Sequence, residues 1–257
     1  MRFRRTILAS LLVLGSSPDA LAQSTSVISA GSGAARRNVL IVTPAAKPLA
    51  AVVMFPGGDG QISISAGGTI AKEGNFLLRT RVAWLTRGFI FAAVDAGDGG
   101  PGRGDRTGPG ARQAIADIVR AIRARTPAPI WLLGTSAGAP AALAGAASLP
   151  AGSVRGVVIS SPVSVPGPRD TVFDAALNQV RVAVRIQVHR DDGCRLSPAA
   201  NAPAIKAALT AAPLVEIETF TGGGFARSGP CEAFAPHGFV GIEDQVVAAA
   251  AAWILAH

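Results

Sequence analysis

Tyrosine is absent from the 257 residues, aromatic residues make up only 5% of them, and charged residues 16%. The formal net charge is +8, but the basic residues are mostly arginines scattered along the chain. No Lys/Arg run is interleaved with aromatics, so the sequence lacks the footprint of a nucleic-acid-binding surface. There are two cysteines, Cys194 and Cys231. Two alone make a poor zinc site, and no His/Cys cluster has the spacing of metal ligands. Only three histidines are present, His189, His237 and His257, which narrows the choice of any histidine base. Beyond the N-terminus no apolar run reads as long enough to cross a bilayer, and no internal repeat is evident.

The first residues are Met1-Arg2-Phe3-Arg4-Arg5, followed by an apolar run from Ile7 to about Gly15 and by Ala20-Leu21-Ala22 before Gln23. A basic flank, a short apolar stretch and a small-x-small cleavage signature predict a secretory signal peptide over residues 1–22. Export is expected, to the periplasm or beyond the cell, with Arg4-Arg5 also loosely fitting a twin-arginine signal. Loss of three arginines and Asp19 with the signal leaves the charge near +6. An even pair of cysteines in an exported chain predicts a disulfide. Residues 23–37 are rich in Ser, Gly and Ala and read as a flexible leader. Residues 38–257 suit one α/β domain, and 49% hydrophobic residues supply a large core.

Along that domain, apolar runs alternate with helical segments. Strands are expected at Asn38–Thr43, Ala51–Phe55, Phe89–Val94, Ile130–Leu133, Val154–Ser160, Ala183–Val188 and Leu214–Phe220. Helices are expected at Asn75–Arg87, Ala111–Arg125, from Ala139 to about Leu149, at Pro198–Ala211 and at Gly241–His257. Fully apolar strands such as Ala51–Phe55 are those covered on both faces. The alternation predicts a mostly parallel central sheet with helices on both faces. Asp95–Gly110, dense in Gly and Pro, must be a loop. It leaves the carboxyl end of a strand, where open α/β sheets place their sites. Arg103 and Arg106 in it are read as solvated, or as receivers of an acidic substrate group.

The organising stretch is Trp131–Ala139, where Gly134-Thr135-Ser136-Ala137-Gly138 joins a strand to a helix. Gly-x-Ser-x-Gly at that junction exposes a serine hydroxyl on a tight turn, and the glycines remove the Cβ clashes. A serine nucleophile needs a base, and the base an orienting acid. His257 is the C-terminal residue and is expected to fray, and His189 ends a strand. His237, in a loop between the last strand and the last helix, is left as the base. Asp191 and Asp192 follow the Ala183–Val188 strand. Asp192, nearer the bend at Gly193, is the preferred acid, with Asp191 the alternative. Ser136, Asp192, His237 is then the chain order of the triad. The oxyanion would be held by the Ala137 N–H and by Gly57 or Gly58, since Pro56 has no N–H. Asp59 is read as a turn or capping residue. If the acid and base loops converge, a Cys194–Cys231 disulfide would clamp one to the other.

Together FPGGDG, GTSAG, the strand-to-HRDDGC junction and CEAFAPHGF before a helix resemble the α/β-hydrolase fold, and within it small capless esterases of the dienelactone-hydrolase-like type. The resemblance covers roughly residues 38–257. It implies a serine hydrolase of carboxylic esters, with Ser136, Asp192 and His237 as triad, no cofactor and a small-molecule ester as substrate. Two departures matter. Phe55-Pro56-Gly57-Gly58 stands where many relatives carry His-Gly. Dienelactone hydrolases proper use a cysteine nucleophile, so dienelactone is not the implied substrate. The same triad can serve amide or peptide hydrolysis or acyl transfer, and the fold can serve a binding protein. The roughly 22 residues between the Val154–Ser160 and Ala183 strands are too few for a large cap.

Overall fold

The structure is a computed structural model that describes residues 23–33, 36–96 and 106–257. Eight strands form one sheet: β1 (Ser24–Ala30), β2 (Arg37–Thr43), β3 (Ala50–Phe55), β4 (Phe89–Asp95), β5 (Ile130–Thr135), β6 (Gly156–Ser160), β7 (Ala183–His189) and β8 (Val215–Phe220). They lie in the order β1-β2-β4-β3-β5-β6-β7-β8. The β1–β2 and β2–β4 pairings are antiparallel and the other five parallel, so the mostly parallel sheet expected from the alternation is present.

The pleat sends alternate residues of each apolar strand to opposite faces. From β3, Ala51, Val53 and Phe55 join one core, while Ala50, Val52 and Met54 join the other; from β5, Ile130 and Leu132 part from Trp131 and Leu133 in the same way. The first core is covered by α3 (Pro109–Arg123), α4 (Ala139–Ser148) and α5 (Ala202–Ala208). The second is covered by α1 (Phe76–Arg79), α2 (Arg81–Thr86) and α6 (Glu243–Ala256). On α3 the buried residues Ile115, Ile118, Val119 and Ile122 recur at the spacing of a helical stripe. Trp131 and Trp253 meet edge to face, 5.4 Å between ring centres, and pin α6 to the centre of the sheet.

Four expectations need correction. Ser24–Ala30, within the stretch read as a flexible leader, forms the edge strand β1 and pairs with β2 over all seven residues. The Asn75–Arg87 segment is two short helices rather than one. Thr80 lies between them and donates its hydroxyl to the Phe76 and Leu77 carbonyls, a back-bond that competes with the helical ladder. By length and mean hydropathy (1.5), Pro236–Ala256 would also suit a bilayer. Val246, Val247, Ala250, Ala251, Trp253 and Ile254 of that stretch are instead buried in the second core. His257 does not fray: its ring packs 4.9 Å from that of Trp253 and its carbonyl accepts from Arg155. The proposed signal, residues 1–22, and Arg103 lie outside the described residues. Residues 161–182, between β6 and β7, contain two single 3-10 turns and no α-helix.

Candidate active site

The chain reverses direction where β5 ends. Thr135 is still extended, and Ser136 takes the left-handed conformation with φ 52°. A 3-10 turn over Ser136–Gly138 then leads into α4. A left-handed non-glycine residue costs roughly 1–2 kcal/mol, so the surroundings must hold it there. A Cβ on Gly134 would lie 2.6 Å from the Ala139 Cα, and one on Gly138 would overlap the Phe55 carbonyl. Gly134 is therefore needed for the start of α4 to fold back against β5, and Gly138 for the serine turn to pack against β3. Gly138 has ordinary helical dihedrals, so Gly138→Ala carries no conformational penalty, only this collision with backbone. It is expected to destabilise the protein by about 3–5 kcal/mol, read as a large fall in thermal midpoint or loss of soluble protein.

β7 ends at His189, and the turn beyond it carries Asp192. The Asp192 Oδ2 accepts from His237 Nδ1 at 2.8 Å, and its Oδ1 accepts the Cys194 N–H at 2.9 Å. Both side chains are buried, Asp192 at 1% and His237 at 5% exposure. With Nδ1–H committed to the carboxylate, Nε2 carries the lone pair. That nitrogen is buried and has no hydrogen-bond partner among the described residues. Asp191, the alternative acid, is exposed and paired with Arg190 at 3.1 Å. The Arg190 hydrogen bond holds its carboxyl below the ordinary range. His189 is buried and used on both nitrogens, donating from Nε2 to the Gly222 carbonyl and accepting the Asp191 N–H on Nδ1.

Ser136 and His237 line one cleft of about 380 Å³, with Ile62, Phe76 and Phe234 as apolar walls. No hydrogen bond joins them in this structure: His237 Nε2 is buried without a partner among the described residues, and Ser136 is half-buried. Gly57 and Gly58 line it too. A Cβ on Gly57 would sit 2.9 Å from the Ser136 Cβ, so this backbone presses against the serine. The Gly57 carbonyl accepts from Gly60 N–H at 3.1 Å. In a trans peptide the next N–H points the other way, which turns the Gly58 N–H out of the turn. Ala137 is buried and does not line the cleft with its side chain, but its N–H belongs to the first turn of a helix, where no intrahelical acceptor exists.

Cys194 and Cys231 are disulfide-bonded across 37 residues, tying the turn of Asp192 to the loop of His237. Asp59 is a turn residue: it accepts the Gln61 N–H and pairs with Lys72 at 3.2 Å. Burial works against its charge, but those two partners, with Arg169 at longer range, keep its carboxyl below the ordinary range. Arg106 is neither solvated nor open to a substrate. It is 7% exposed and lies under the Gly57–Gly60 turn, donating to the Gly58 carbonyl at 3.3 Å. Burial, then Arg169 and Arg37, push its guanidinium down to about 10, with Asp59 and Asp170 opposing.

Two residues of the site escaped the sequence reading. Arg79 reaches the Gly74 and Gly238 carbonyls and Glu243, joining α1 to the loop that carries His237. Asn75, on the cleft wall, caps α1 by accepting the Leu77 N–H at 3.0 Å. An Asn immediately before the apolar Phe76-Leu77-Leu78 was a legible cap signal. Among the described residues no group of three His, Cys, Asp or Glu could hold a metal ion.

No protein-family model matches the sequence, and no curated protein is similar to it. Solved structures do match it in fold. A Thermoplasma acidophilum protein described as a predicted CIB-like hydrolase is 13% identical, covering 92% of this chain and all of its own, at a TM-score of 0.60. An esterase of Pyrococcus furiosus is 15% identical over 84% of this chain and 88% of its own, at 0.58. The esterase domain of a Rhodothermus marinus protein is 15% identical over 89% and 98%, at 0.56. The strand order, the serine turn after β5 and these likenesses agree: the chain has the α/β-hydrolase fold.

Proposed function

We propose that the protein is an exported serine hydrolase of the small capless type that cleaves carboxylic esters through an acyl-enzyme. The observation that carries the reading is the buried Asp192–His237 hydrogen bond, which leaves Nε2 as an unpartnered base on the cleft that Ser136 lines. In the first step the Ser136 oxygen bonds to the ester carbon, its proton passes to His237 Nε2, and the carbonyl electrons move onto oxygen. Asp192 stabilises the imidazolium. Ala137 N–H and the Gly58 N–H, with Gly57 as its neighbour, receive the oxyanion. Collapse expels the alcohol, which takes the proton from Nε2, and water then repeats the sequence on the acyl-enzyme. The open cleft favours accessible small-molecule esters. Signal residues 1–22 and the disulfide both support export to an oxidising compartment.

The test is hydrolysis of p-nitrophenyl acetate and butyrate by the protein lacking residues 1–22, together with labelling by a fluorophosphonate. Turnover with labelling supports the ester reading. Labelling without ester turnover would favour amide or acyl-transfer chemistry, and no labelling would leave a binding protein. The acid has its own check. Asp192→Asn is expected to lower kcat by about 10³–10⁴-fold, the scale of losing the orienting carboxylate. Asp191→Asn, on an exposed carboxylate facing Arg190, is expected to leave kcat within about twofold. Equal effects of the two would overturn the assignment.

A further inference from the structure

We propose that Asn75 is a third oxyanion donor, its side-chain amide supplementing the two backbone N–H groups; this rests on the hydrolase reading above. Asn75, the cap of α1, lines the cleft together with Gly57. Its Oδ1 is committed to the Leu77 N–H, which fixes the amide plane and leaves Nδ2 as the free end. Nδ2 has no acceptor among the described residues, although an amide has two N–H groups to place. It lies 3.6 Å from the point where a Cβ on Gly57 would be, and the Ser136 Cβ lies 2.9 Å from that same point. The amide, the Ser136 Cβ and the Thr135 carbonyl therefore all border the Gly57 backbone, which lines the cleft. The Gly57–Gly58 backbone, read above as an oxyanion donor, borders the same space. A carbonyl oxygen that gains charge there meets a donor held in place before the reaction begins, which is the condition under which such a hydrogen bond lowers the barrier.

The chain departs from the His-Gly pattern ahead of its oxyanion glycines, carrying Pro56 there. Pro56 can donate nothing. A side-chain donor arriving from α1 gives the serine site a third N–H on that flank.

The role as a helix cap and the role as a donor can be separated. Asn75→Ser keeps a neutral cap, since serine accepts from the same early N–H groups about as well as asparagine, but it removes the amide and cannot reach as far. Asn75→Ala removes both. Wild type and variants are compared for kcat and KM on p-nitrophenyl butyrate, for rate of fluorophosphonate labelling and for thermal midpoint. Asn75→Ser is expected to keep the wild-type midpoint within about 2 °C while kcat falls about a hundredfold, the low end of what one oxyanion donor contributes, with KM changed less than threefold. Asn75→Ala should show the same kcat loss with a lower midpoint. A folded Asn75→Ser with wild-type kcat overturns the assignment and leaves Asn75 a cap alone. So does a loss confined to KM, which would make the amide a ground-state contact. Failure of the wild type itself to label or turn over is a different result: it overturns the hydrolase reading, and the donor role with it.

Discussion

Ser136→Ala is expected to abolish fluorophosphonate labelling and to lower ester turnover by at least about 10⁴-fold, with a thermal midpoint near that of the wild type. Removing the hydroxyl takes away the attacking atom and no packing. Ser136 is half-buried, so little stability leaves with its hydroxyl. The left-handed backbone at φ 52° is held by the collision-free packing of Gly134 and Gly138, not by the side chain. His237→Ala should reduce turnover to a similar level but behave differently in stability. It strips the buried Asp192 carboxylate of one of its two hydrogen bonds, and a buried carboxylate that loses a partner costs about 1–3 kcal/mol or more. The double variant is the sharper measurement. Residues that act as one unit are strongly non-additive, so Ser136→Ala/His237→Ala should be no slower than the worse single variant. If the two losses multiply instead, the serine and the histidine act independently and the coupled mechanism fails.

The features legible in the sequence were those in which side chains alone dictate position. β3 and β5 announce themselves as unbroken apolar runs because both faces are buried. Ser136 is marked by its glycines, and each of those is required by a contact that any Cβ would violate. His237 is reached by elimination among three histidines, and in the structure the ring of His189 is spent on Gly222 and Asp191. What escaped depends on backbone pairing or on distant partners. β1 is built from Ser24-Thr25-Ser26-Val27-Ile28-Ser29-Ala30, which carries little strand signal, and is held by its ladder to β2. Edge-strand preference of this kind comes from neighbours rather than from composition. Arg106 sits in a Gly- and Pro-rich loop where arginine is ordinarily wet. Only the fold reveals that the Gly57–Gly60 turn covers it, with Gly60 leaving no room for a Cβ against its guanidinium. Arg79 reaches partners more than 150 positions away in sequence, the Gly238 carbonyl and Glu243, and no local pattern encodes that.

Reduction of Cys194–Cys231 is expected to lower stability by about 3–4 kcal/mol, because the bridge closes a loop of 37 residues and removes that much closure entropy from the unfolded chain. For a chain of this size that corresponds to a fall of roughly 10 °C in thermal midpoint. Cys194→Ser/Cys231→Ser should reproduce it without reductant. On the proposed function the same change should reach the chemistry, because the bridge joins the turn of Asp192 to the loop of His237. The Cys194 N–H is the second hydrogen bond on Asp192, and Cys231 lies on the cleft wall six residues before His237. Loosening the two loops relative to each other lengthens the Asp192–His237 contact, on which the histidine's tautomer and aim depend. Turnover measured well below the lowered midpoint, where the reduced protein is still folded, should therefore fall about tenfold. The two readouts test different things. A fall in midpoint with unchanged kcat would make the bridge a staple for the loops and nothing more. A midpoint that does not move under reductant, with the thiols shown to be free, would mean that Arg79 and the buried Asp192–His237 pair already hold these loops together without the covalent tie.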